Sequence, residues 1–136
     1  MKRLALLAAI ALIGCDRYPP VAAYVTDPPP PAKPVDDLGA SDELPLTVGT
    51  ATGVVFLVND QSTFSGTRPG DEARSLNDGV VRVLPTTDDA SVSYGSPRYM
   101  GKVFVLYGVA PGDTSIEIFE EGQSMGIISI HVLPQE

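Results

Sequence analysis

A chain of 136 residues with a formal charge of −8 has room for one domain of modest core, and its acidity argues against binding nucleic acid or anionic lipid through charge. One cysteine, one histidine and no tryptophan exclude a disulfide scaffold and leave little from which to build a histidine-rich metal site.

In chain order, Lys2 and Arg3 precede an apolar run over residues 4–13 that ends at Gly14 and Cys15. A charged start followed by a short apolar stretch is the pattern of a secretory signal. As a helix the run rises about 15 Å, roughly half the hydrocarbon thickness of a bilayer, which is too short for a spanning segment. Residues 1–14 are expected to be cleaved off between Gly14 and Cys15, taking Lys2 and Arg3 with them and leaving a more acidic mature chain.

Residues 12–15, Leu-Ile-Gly-Cys, resemble the lipobox of bacterial lipoproteins. The resemblance implies that the Cys15 sulfur takes a diacylglycerol and that Cys15 becomes the first residue, with two or three acyl chains giving stable attachment where one would be marginal. An ordinary unpaired cysteine is the plainer alternative. Asp16 resembles the sorting residue that retains such proteins in the inner membrane of enterobacteria. The implied address is the bacterial cell envelope: the periplasmic face of the inner or outer membrane, or the cell surface.

Residues 15–41 read as the lipidated cysteine and a disordered linker. Prolines at 19, 20, 28–31 and 34 fix φ and remove amide donors, so residues 17–34 are expected to stay out of any sheet and to favour extended polyproline II. At about 3 Å per residue such a tether reaches some 60–80 Å. A passive spacer is the simpler reading; a ligand for an aromatic-lined groove is the other.

Residues 42–136 read as an all-β domain. Residues 44–49 (LPLTVG) alternate and carry Pro45, as an edge strand would, and 53–58 (GVVFLV) form a β-branched, aromatic run expected to be covered on both faces. Residues 59–79 are polar and read as a long loop with one helical turn at most over 71–76, pinned by Phe64. After the turn signal at 77–79, residues 80–84 form a strand stopped by Pro85, residues 91–94 suit a short strand, and 102–107 (KVFVLY) suit a central one. Residues 115–119 and 127–132 alternate strictly about a hairpin at 120–123, which places Ile116, Ile118, Ile128, Ile130 and Val132 inward and Glu117, Ser129 and His131 outward. Six or seven strands with frequent turns point to a β-sandwich.

Residues 46–49 (LTVG), 78–83 (DGVVRV), 108–118 (GVAPGDTSIEI) and 128–132 (ISIHV) are similar to bacterial immunoglobulin-like domains, and also look like the small β-domain at the N-terminus of pilus-associated secretins. The resemblance implies an immunoglobulin-like sandwich. Two features depart from it: the absence of tryptophan and the polar stretch 59–79.

His131, the sole histidine, would have to serve any Ser-His-Asp or Cys-His chemistry, yet it is expected on a solvated face, and such a base needs a sheltered site. The acidic pairs at 42–43, 71–72, 88–89 and 120–121 match no calcium motif, and residues 108–114 lack the lysine and following helix of a phosphate-binding loop. No metal, cofactor or catalytic residue is therefore assigned. Leu46, Phe64, Tyr94 and Tyr99 are the candidate partner surface, because aromatic side chains are enriched at interfaces and an edge strand can accept another. The reading is a lipid-anchored envelope protein that presents a non-catalytic module to a protein partner, with two alternatives: an accessory subunit of a pilus or secretion apparatus docking by strand addition, and, more remotely, a small envelope hydrolase.

Overall fold

The strict alternation near the C-terminus is realised as a hairpin of β9 (Gly112–Glu120) and β10 (Gln123–Leu133), with Ile128 opposite Ile116. Ile116, Ile118, Ile128, Ile130 and Val132 are buried while Ser129 and His131 are exposed, as period-two geometry requires. Glu121 and Gly122 turn the chain at φ of 51° and 79°, the left-handed pair whose twist matches the flanking strands. The computed structural model describes residues 19–34, 40–41, 43–60, 63–94 and 98–135.

The other strands are β1 (Val21–Tyr24), β2 (Ala40–Ser41), β3 (Glu43–Thr47), β4 (Ala51–Asp60), β5 (Thr63–Gly66), β6 (Glu72–Ser75), β7 (Val81–Ser93) and β8 (Arg98–Gly108). One sheet runs β2-β1-β4-β8-β7, with β5 also paired to β4; the second runs β3-β10-β9-β6. Their inner faces meet in a core where Val54, Phe56, Val58, Phe104 and Leu106 of the first sheet pack on Leu44, Leu46 and the inward isoleucines of the second. The fold is an all-β sandwich, with no helix among the described residues. Residues 102–107 do form a central strand, since β8 lies between β4 and β7 with Val103 to Leu106 buried.

The proline-rich segment differs from expectation. Residues 21–24 are a full strand, antiparallel to β4 with Val21 opposite Leu57 and Tyr24 opposite Val54, and Ala22 and Ala23 are completely buried. The prolines flank this strand instead of interrupting it. Beyond it, the Val25 amide donates to the Gly53 carbonyl (3.0 Å) and the Lys33 amide to the Ala51 carbonyl (3.2 Å), so the chain returns to β4 after looping through residues 28–31. A Cβ on Gly53 would stand 2.5 Å from the Cβ of Pro28, and Ala32 packs with Ala51 and Val105. The looped segment covers the outer face of the first sheet, where a solvated tether was expected.

The stretch 59–79 is not a loop either. It contains β5 and β6, and the expected helical turn over 71–76 is strand from Glu72. Asp71 explains the misreading: its carboxylate accepts the Arg68 amide (2.7 Å) and closes a tight turn before β6, and the side chain is 5% exposed. Both strands are short and polar, and β6 is held chiefly by its backbone ladder to β9 at the border of its sheet.

Strand β7 continues through Pro85 to Ser93, where a stop and a separate short strand were expected, because a register shift between Pro85 and Asp89 absorbs the proline. The distal β7–β8 arm then meets β5: the Lys102 amide donates to the Thr67 carbonyl (2.7 Å), and a Cβ on Gly66 would lie 2.2 Å from the Met100 carbonyl oxygen and 2.9 Å from the Gly101 Cα. Backbone meets backbone here, so no rotamer change relieves a side chain. Gly66→Ala is expected to cost about 1–3 kcal/mol in urea unfolding. An unchanged midpoint would mean that the two strands are not in contact.

Candidate functional site

Gly14, Cys15 and Asp16 lie outside the described residues. The four remaining candidates separate into one and three.

Leu46 is corrected. Its side chain is 4% exposed in the core and offers no surface. What β3 presents is its backbone border, since it pairs in parallel with β10 and ends its sheet. The Val48 amide donates to the Leu133 carbonyl (3.0 Å), and residues of a parallel strand alternate the side to which they bond. Leu44 and Leu46 therefore turn their amides to β10, while Glu43, Pro45 and Thr47 turn theirs to the open side. Pro45 has no N–H to offer, and Thr47 already gives its carbonyl to the Thr50 amide (3.1 Å) and hydroxyl (2.7 Å). The border is blunted in the way proteins protect free edges.

Phe64, Tyr94 and Tyr99 do come together. The Phe64 and Tyr94 rings meet edge to face, with centroids 5.1 Å apart and planes at 66°. Phe64 and Tyr99 both pack against the outer-face cluster of Val21, Ala23, Val25, Val55, Leu57, Val92 and Val103. Tyr94 is 37% exposed at the end of the β7–β8 arm. Beside them Asn59, directly across from Phe64 in the ladder, is 5% exposed, and its Oδ1 accepts no hydrogen bond from the described residues. The residue types were visible in the sequence. Their meeting depends on β5 lying beside the end of β4 and on the Gly66–Gly101 approach, neither of which leaves an apolar pattern.

One constellation that sequence reasoning missed lies on the outer face of the second sheet. His131 Nδ1 hydrogen-bonds the Asp113 carboxylate across the β9–β10 ladder, where the two residues are directly opposed. Ser129 and Ser115 form the next pair outward, and Glu43 borders the same shallow depression. The register of the hairpin would have revealed the pairing. The aspartate orients the imidazole as a triad acid would, but the two side chains are 50% and 78% exposed, and no serine hydroxyl among the described residues bonds the ring. The arrangement is a solvated cross-strand pair, of the kind that adds at most about 1 kcal/mol.

The acidic pairs scatter. Glu72 binds Arg74 at 2.6 Å, and Arg74 also stacks over Phe119, 4.7 Å from the ring centroid. Among the described residues no three His, Cys, Asp or Glu side chains gather as a metal-ion group. No family model, curated protein or solved structure matches the chain.

Proposed function

We propose that the chain is an exported bacterial lipoprotein, held at an envelope membrane by acyl chains on Cys15, whose immunoglobulin-like β-sandwich is a non-catalytic structural or interaction module. The observation that carries this reading is the run from Lys2 to Cys15, in which charge, apolar stretch, small residue and lone cysteine fall in the order that lipidation needs. Docking by strand addition at residues 44–49 is not favoured, because Pro45 leaves a gap in the donor row. Leu46→Pro would not test that docking, since it removes a bond to β10 and damages the fold first.

The test of the anchor is Cys15→Ser with the intact mass read before and after. The natural chain is expected in the membrane fraction, shortened by residues 1–14 and heavier by its acyl groups. The variant is expected to keep residues 1–14 and carry no lipid. Identical masses and unchanged processing in the two would refute lipidation.

A further inference from the structure

Resting on the anchor reading, we propose that the corner formed by Phe64, Tyr94 and Tyr99 is the face on which the anchored domain sits against its own bilayer. Four peptide units separate Cys15 from Pro19, so at about 3.6 Å each the Cα of Cys15 can stand no more than some 15 Å from that of the first described residue, with the acylated sulfur one short side chain beyond it. Pro20 is already buried, packed against Gly126, where a Cβ would lie 2.8 Å from the proline Cδ. Val21 then opens β1 opposite Leu57. Continuing that antiparallel register by two residues brings Pro19 level with Asn59, and Asn59 faces Phe64 on the far side of β4. Two strand spacings of about 4.8 Å thus separate the point where the chain enters the sheet from the backbone of Phe64.

The anchor and the aromatic corner therefore share one end of the sandwich. Tyrosine is suited to that position, with an apolar ring that enters the acyl boundary and a hydroxyl that stays among the headgroups. Arg98 stands at the tip of the same β7–β8 arm, exposed, and places a cation at phosphate depth. The apolar wall beneath, from Val55 and Leu57 to Val92, holds Phe64 and Tyr99 in place, so little freedom is lost on contact. The acidic chain opposes docking on anionic lipid, so the contact is with zwitterionic headgroups.

The chain has no tryptophan, so one introduced residue is a unique fluorophore. Full-length protein carrying Tyr94→Trp is purified from membranes with its lipid and reconstituted in phosphatidylcholine vesicles brominated high on the acyl chains. Leu133→Trp, at the other end of β10 and 44% exposed, is the control, and Phe64→Trp is the second reporter should Tyr94→Trp misfold. Trp at 94 or 64 is expected to shift to the blue and lose about half its emission or more, with Trp at 133 unchanged, as placement at the membrane interface requires. Equal emission at both ends overturns the orientation while leaving the anchor intact. Trp at 94 that ignores bromine in pure lipid but is shielded from iodide in native membranes overturns it in favour of a protein occupant. Absence of acyl mass on Cys15 refutes the anchor itself, a separate outcome read from the same preparation.

Discussion

A chain that begins at Asp42 is expected to lose its cooperative unfolding transition and to aggregate, whereas one that begins at Arg17 folds. The shorter chain lacks β1 and the looped segment behind it, which contribute Val21, Ala22, Ala23, Val25 and Ala32 to the buried set. Burial of two valines alone is worth about 3–6 kcal/mol, and the backbone ladder adds to this. The loss also uncovers the side of β4 over residues 54–57, Val-Val-Phe-Leu, as an unpaired apolar edge, the arrangement most prone to intermolecular pairing. Size-exclusion elution and urea melts of the two chains decide the matter. Matching cooperative transitions would return the proline-rich segment to the role of spacer.

Phe104→Ala is expected to cost about 3–5 kcal/mol, a large share of the 5–15 kcal/mol that holds a typical domain. Its ring is 1% exposed and leans on Phe56 with centroids 5.5 Å apart and planes at 46°. The Lys102 ammonium lies 5.1 Å from the ring centroid while donating to the carbonyls of Pro69 (3.3 Å) and Asp71 (3.4 Å). Removing the ring therefore opens a cavity between the sheets and takes away a support for the turn before β6. Phe104→Leu, which keeps much of the volume, should recover most of the loss. If the alanine variant unfolds at the urea concentration of the natural chain, Phe104 is not in the core.

The C-terminal hairpin and β8 were legible because each carries its own instruction: alternation with a left-handed turn in one, an unbroken apolar run in the other. Strand β1 was hidden by its neighbours. Residues 21–24 are two small alanines between a valine and a tyrosine, and prolines on either side dominate any composition-based reading. Strands β5 and β6 were hidden for another reason: with sequences TFSG and EARS they bury little, and backbone ladders hold them, β5 to the adjoining end of β4 and β6 to β9 more than forty residues away. Of the candidate surface, the three aromatics were named by residue type but could not be brought together without the pairing of β5 with the end of β4 and the close approach of Gly66 to Gly101. Leu46 was misplaced because an edge strand exposes its backbone while its side chains still alternate into the core. His131 was correctly read as solvated, and its partner Asp113 follows once the hairpin register is known.

The parallel seating of β3 on β10 has a kinetic side. β10 lies between β3 and β9, so among the described strands β3 has no ladder partner in its sheet until residues 123–133 have been made. β3 must wait through some eighty residues of synthesis, and pairings of such long sequence separation form slowly, in milliseconds to seconds. In a chain halted before residue 123, Leu44 and Leu46 could still lean on Val54 and Phe56 of the first sheet, but the register that seats β3 beside Ser129 to Leu133 would be missing, so the place of β3 in the sandwich is set by a strand some eighty residues away.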